Sequence, residues 1–187
     1  MLNTISQKFH AWTTGWRVLI LLVLDGLMMG YIMPLAGAIM ALAANNSVMP
    51  LDLMFFYSPA KAFAMIEKYG AAGRAVYMQI ELTADIIYPI IYTLFFGLLI
   101  SWLFQRAFRS DSPMQKYNMT PVGAWFFDLL ENAGIVSMLA TYPSQPAALA
   151  WLTMIVGSLK WLFAVGSIGL SLFGLVKAWM NGFKKQV

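Results

Sequence analysis

Arg74, Tyr77, Glu81, Asp85, Tyr88 and Tyr92 recur at steps of three and four residues. On an α-helix such steps put all of them on one face. The residues around them are Ile, Leu, Phe and Ala, as in IIYPIIYTLFFGLLISWLF. A carboxylate at the centre of a membrane helix costs at least roughly 2.5 kcal/mol. Two carboxylates on one face of this segment therefore point to the interior of a helix bundle rather than to lipid. Carboxylates in that position can act as general acid and base or relay a proton. Tyrosine hydroxyls beside them can donate to a carboxylate or to a substrate oxygen. Pro89 adds to this chemistry. It lacks the N–H that would reach the carbonyl four residues back, which belongs to Asp85. Asp85 is thus expected to offer a side-chain oxygen and a freed backbone oxygen to the same cavity.

A second constellation reads Asp128-Leu-Leu-Glu131-Asn132. Its polar members are three and four apart and share a helix face. Two carboxylates this close in low dielectric do not both ionise unless a cation lies between them. Lys160 is the available cation. Facing Asp128 or Glu131 it can keep its proton, whereas a buried lysine alone would lose it. The chemical reading is an acid/base pair with a tuned proton. The competing reading is a buried ion pair that fixes helix register. Arg74 and Glu81, two turns apart near a segment end, are expected to form a snorkelling pair.

The elements that must position these residues follow from composition. The chain has 187 residues, 60% of them hydrophobic and 11% charged, with a mean hydropathy of +0.70. Soluble domains run at roughly 45–50% apolar and about 25% charged. The expected class is therefore all-α, a polytopic integral membrane protein forming one transmembrane domain of four helices. About 20 apolar residues are needed per span. The expected spans are 18–42, 77–105, 122–139 and 147–176. The first exceeds the roughly 7–15 residues of a cleavable signal core and reads as a retained span. At 1.5 Å per residue, Asp25, Asp85, Asp128, Glu131 and Lys160 each lie on the order of 12–20 Å in from a span end. They approach the midplane from four different helices.

Lys8, Arg17, Arg106, Arg109, Lys116, Lys177, Lys184 and Lys185 fall on one side of such a topology, and Lys61, Lys68 and Arg74 on the other. The positive-inside rule then places both termini in the cytoplasm. The short uncharged linker at 143–146 makes the third and fourth spans antiparallel neighbours. Ser58-Pro59 is a cap followed by proline at the first helical position, so a short helix is expected over 59–69, ending near Gly70. Phe63 and Ile66 are expected to lie against the membrane surface with Lys61 and Lys68 facing water. This helix reads as an interfacial connector or as a lid. Thr120-Pro121 repeats the cap-plus-proline start for the third span. Gly26, Gly30 and Gly37 are expected to allow close helix approach, turning Asp25 inward, and Pro34 frees the Gly30 carbonyl. Thr153, Gly157, Lys160, Ala164, Ser167 and Ser171 form one small polar face, suited to packing on other helices or on itself in a homo-oligomer.

Several functions are set aside. The chain has no cysteine and one histidine, His10, which excludes disulfides, thiolate chemistry and His- or Cys-rich metal sites. It has no phosphate loop, nucleophile elbow or zincin motif, and no basic patch of the nucleic-acid kind. A Mg²⁺ or Ca²⁺ site from Asp85, Asp128 and Glu131 is disfavoured because Lys160 is the one basic group that could direct a phosphate. No cofactor is expected. The leading expectation is an intramembrane enzyme acting on a lipid-like or isoprenoid-like small molecule by protonation, isomerisation or cyclisation. Asp85, Asp128 and Glu131 would be acid and base, with Lys160 tuning their proton. Tyr88, Tyr92 and Asn132 would orient substrate, joined by Asp25, Glu81 and Tyr77. The alternatives are a proton- or cation-coupled transporter or channel, and an accessory membrane subunit whose ion pairs are structural. Expected partners are membrane lipid and an apolar ligand.

Overall fold

The computed structural model describes residues 2–184. Lys185, counted in the charge balance, lies outside the described residues, as does the Lys184 side chain. Among the described residues the chain is helical, with no strand. In order the helices are α1 (Leu2–Trp12), α2 (Gly15–Leu27), α3 (Met33–Ala44), α4 (Pro59–Lys68), α5 (Gly70–Leu82), α6 (Ala84–Ala107), α7 (Thr120–Ala140) and α8 (Ala147–Lys184). Four helical stretches are long and apolar enough to cross a membrane: Gly15–Ala44, Gly70–Ala107, Pro113–Ala140 and Ala147–Gly182.

A proline accounts for the first departure of these stretches from regular α-helix, and a threonine marks the second. A π-helical turn, Met28–Ile32, joins α2 to α3 just before Pro34, and the Met33 N–H bonds the Met28 carbonyl five residues back. The wider turn accommodates a proline with no N–H to give. The expected second span is two helices rather than one. It breaks at Thr83 (φ −128°, ψ −83°), whose hydroxyl donates to the Gln79 carbonyl at 2.6 Å. Asp85 consequently sits in the first turn of α6, where a helix dipole favours negative charge. Ser58 caps α4, accepting from the Lys61 N–H at 3.3 Å, with Pro59 in the first turn. Gly70 adopts φ +61°, a left-handed turn that glycine allows. Helix α7 starts at Thr120 with Pro121 in its first turn, as expected, but Thr120 is itself helical (φ −54°, ψ −42°) and follows directly on a 3₁₀ segment, Pro113–Met119, so it is the first helical residue rather than a cap. Ser112 caps that segment instead, through the Met114 N–H at 3.3 Å.

The contacts divide the chain into two compact units. One comprises Met1–Asp25, Ile90–Trp125 and Trp161–Val187. Its apolar core is Phe9, Val18, Phe95 and Leu98, with Ile100, Leu103 and Phe104 in a second cluster. A polar knot fastens α1. Asn118 accepts from the Ser6 hydroxyl (2.7 Å) and donates to the Ser6 carbonyl (3.1 Å) and the Ser101 hydroxyl (2.8 Å). His10 contacts the Gln115 carbonyl at 3.0 Å and the Gln105 amide at 3.2 Å.

The other unit comprises Gly26–Pro89 and Phe126–Lys160. Its core is Met40, Leu51, Tyr57, Phe63, Ile66, Tyr69, Tyr77, Ile135 and Met138, with smaller neighbours. Phe63 and Ile66 are thus buried in protein, not laid on a membrane surface. Gly26, Gly30 and Gly37 have nothing within 4 Å of where a Cβ would stand, so the expected close approach is not there. It occurs at Gly73, where a Cβ would come within 3.0 Å of the Ala44 Cβ. Helices α7 and α8 pack as neighbours in this unit: a Cβ on Gly134 would overlap Thr153, and one on Gly157 would overlap the Glu131 carboxyl.

Candidate functional site: a buried acid cluster

Most of the chemistry-bearing side chains named from sequence fall in the second unit. The small face of α8 brings Gly157 against α7, and the missing side chain there leaves room for the Glu131 carboxyl. One turn along α8, the Lys160 ammonium forms an ion pair with Glu131 and lies 3.5 Å from Asp128 Oδ1. All three are buried. The lysine therefore bridges the two carboxylates, the arrangement in which three ions can stay paired out of water.

On the facing α7 surface Asn132 donates its amide to the Asp85 carbonyl at 2.8 Å. This is the carbonyl that Pro89 deprives of its helix bond. The freed oxygen is therefore taken up by a side chain from another helix, and Asn132 has its orientation fixed by an acceptor. The Asp85 side chain is buried and has Asp52, Asp128, Lys160 and Glu131 as charged neighbours.

Asp52 was not foreseen. It lies in a short 3₁₀ turn, Leu51–Leu53, between α3 and α4, and is buried. Tyr77 pins this turn. Its hydroxyl donates to Asp52 Oδ1 at 2.7 Å and accepts from the Leu51 N–H at 2.8 Å. Tyr69 donates to the Met49 carbonyl at 2.7 Å and meets Tyr77 edge-on, ring centroids 5.4 Å apart. Glu81, one turn beyond Tyr77, is 1% exposed and also neighbours Asp52 and Asp85. Tyr57 closes the group from the same connection, with Glu131, Asp52, Lys160 and Glu81 as its electrostatic neighbours. Burial first, then these carboxylates, pushes the Tyr57 hydroxyl above its ordinary range; burial and Asp52 do the same to Tyr69. Both phenols therefore stay neutral. The sequence signal for Asp52 is a single acid in an otherwise apolar connection, VMPLDLMFFY. A solvent-facing connector would not carry that pattern.

Other expected site residues lie differently. Arg74 does not pair with Glu81: its guanidinium stacks on the Tyr142 ring, 3.8 Å from the centroid, and donates to the Ile66 carbonyl at 3.4 Å. The aromatic face holds the cation while Glu81 points inward. Tyr88 is half-buried in the second unit; Tyr92, also half-buried, belongs to the first. Asp25 belongs to the first unit too, buried, with Oδ1 making no hydrogen bond among the described residues. The hydroxyls on the α8 face bond their own helix: Thr153 to the Leu149 carbonyl, Ser167 to Phe163 and Ser171 to Ser167, each at 2.8 Å.

The buried acids of this unit are thus Asp52, Glu81, Asp85, Asp128 and Glu131, with one buried lysine, Lys160, paired to the last two, and Tyr57, Tyr69, Tyr77 and Asn132 supplying hydroxyls and an amide. Among the described residues no three acids or histidines converge closely enough to hold a metal ion. Like charges in low dielectric do not all ionise, so such a group shares protons. It is chemically equipped to give and accept them. No protein-family model, no curated protein and no solved structure matches this chain.

Proposed function

We propose that the chain is a multi-pass integral membrane protein and that its acid cluster is an intramembrane acid/base centre acting on a lipid-like or isoprenoid-like small molecule. Membrane residence is supported by the apolar stretches and by what they expose. In Gly15–Ala44 only 11% of the most apolar window is buried, and Leu22, Val23, Leu27, Met29, Leu35 and Leu42 all face outward. Lipid is the solvent that suits such a surface. The lysine and arginine balance supports both termini on the cytoplasmic side.

The observation that carries the catalytic reading is the division of labour among the carboxylates. Asp128 and Glu131 are held by the Lys160 ammonium, whereas Asp85 Oδ2 makes no hydrogen bond among the described residues. Asp85 is thus left to exchange a proton with a ligand, as is Glu81, whose Oε2 likewise makes no hydrogen bond among the described residues, and the lysine-paired carboxylates stand beside them to accept one. Proton donation at one atom of a substrate and removal at another is an isomerisation, with no net proton consumed. Asn132 positions Asp85 through its backbone, and Tyr57 is placed to donate to a substrate oxygen.

Native mass spectrometry with lipidomics on protein purified in mild detergent, wild type beside Asp85→Asn, tests this reading. A discrete apolar molecule that co-purifies and is lost or accumulates in the variant is expected. The same lipid complement in both forms would contradict it. A second reading, a proton- or cation-coupled transporter, is favoured by the surplus of acids over the single lysine. It calls for proton uptake into liposomes that fails in Asp85→Asn.

A further inference from the structure

The cluster is short of hydrogen-bond donors and of positive charge, and that shortage specifies a ligand. Glu81 Oε2, Asp85 Oδ2, Asn132 Oδ1 and the Tyr57 hydroxyl have no hydrogen-bond partner among the described residues. Their side chains belong to residues 1%, 5%, 3% and 1% exposed. Three of the four are carboxyl or amide oxygens, which accept. Protonating a carboxyl supplies one O–H, enough for one neighbouring acceptor, and leaves the other acceptors without a donor. Apart from the Tyr57 hydroxyl the donors at hand are committed: the Tyr77 hydroxyl to Asp52, the Tyr69 hydroxyl to Met49, the Asn132 amide to Asp85 and the Lys160 ammonium to Glu131 and Asp128. A buried polar group without a partner carries the full penalty of its lost hydration, so four such groups in one unit call for a complement.

We propose that this site binds an apolar molecule through a protonated amine, whose N–H groups reach the Asp85, Glu81 and Asn132 oxygens and whose charge offsets the excess of carboxylates over Lys160. An ammonium supplies several donors from one atom, which a hydroxyl does not. Charge-assisted bonds to carboxylate are about twice as strong as neutral ones. A phosphate or carboxylate headgroup would instead add like charge to a desolvated acid cluster. The ligand class rests on reading the cluster as a ligand site, and it holds whether that ligand is converted or carried.

The test uses one chain length with three headgroups. Dodecylamine, dodecanol and dodecyl phosphate are titrated against the full-length protein in phosphatidylcholine nanodiscs, with binding read by native mass spectrometry and by thermal shift. Dodecylamine is expected to bind about tenfold more tightly than dodecanol, with dodecyl phosphate not retained. Asp85→Asn and Glu81→Gln should each weaken dodecylamine by about tenfold, while Glu67→Gln on the exposed face of α4 should not. Dodecyl phosphate binding as tightly as dodecylamine would overturn the proposal, as would dodecylamine binding untouched by both cluster variants. Preferential dodecanol binding that is lost in Asp85→Asn would refute the amine and leave the acid/base reading standing. Equal binding of all three, insensitive to the variants, would refute both. If Asp85→Asn does not fold, Glu81→Gln and the wild-type headgroup series decide the matter.

Discussion

Replacing Asn132 by leucine keeps the side-chain volume and deletes one hydrogen bond, the 2.8 Å contact from its amide to the Asp85 carbonyl. That carbonyl has no helical partner because the residue four positions on is Pro89. A buried carbonyl left unpaired costs roughly 1–3 kcal/mol. Interhelical hydrogen bonds measured within membranes average about 0.6 and reach about 1.7 kcal/mol. Asn132→Leu should therefore destabilise by about 1–2 kcal/mol, towards the upper figure because the carbonyl lies beside carboxylates that repel its dipole. Pro89→Ala supplies the missing N–H within α6. In that background the carbonyl has a second donor, so Asn132→Leu should cost about 1 kcal/mol less. The assay is a double-mutant cycle on detergent-solubilised protein, unfolded by increasing SDS and followed by circular dichroism. Additive effects, with a coupling under about 0.3 kcal/mol, would refute the assignment of Asn132 as the surrogate partner of the proline-freed carbonyl.

Other outcomes follow from the same geometry. Lys160→Met strips Asp128 and Glu131 of their shared cation and should cost about 3–5 kcal/mol, part of it recovered by adding Glu131→Gln; the same SDS titration reads both. Tyr77→Phe removes the hydroxyl bonded to Leu51 and Asp52, and should speed amide hydrogen exchange through 49–57 while leaving α7 and α8 unchanged. Gly157→Ala adds a methyl where the Glu131 carboxyl stands and should cost about 1–3 kcal/mol. Gly37→Ala, with open space at its Cβ, should instead gain up to about 1 kcal/mol from helix propensity. Equal effects at the two glycines would contradict the packing of α7 on α8.

The helices were legible because their signal is collective. Tens of consecutive apolar residues leave little choice of class, and Pro34, Pro89 and the 143–146 linker punctuate them in plain view. The Asp128–Glu131–Lys160 contact was also legible, since spacing fixes the α7 face and one lysine remained to answer it. Helix α1 was missed because LNTISQKFHAW is too short and polar to register as a span; its Ile5 and Phe9 are the apolar residues of an amphipathic turn. The break at Thr83 was missed because helix propensity runs through it and only the backbone reveals the turn. Asp52 was missed because the stretch between the first span and the 59–69 helix has no periodicity that assigns it a face, whereas tertiary contacts from Tyr77 and Tyr69 draw it inward. Arg74 was misassigned because spacing on one helix cannot show that Tyr142, sixty-eight positions on, offers an aromatic face. Helical periodicity thus identified the faces, and the partners on non-adjacent segments needed the fold.

The most direct test of an intramembrane acid/base centre is deuterium wash-in. Purified protein in nanodiscs is incubated in D₂O with a total lipid extract, and the extract is searched by mass spectrometry for carbon-bound deuterium. The account predicts that wild type labels a small set of apolar molecules, and that Asp85→Asn, folded by circular dichroism, labels none of them. Absence of labelling by wild type, with proton uptake into liposomes that depends on Asp85, would contradict the enzyme and leave a transporter in its place.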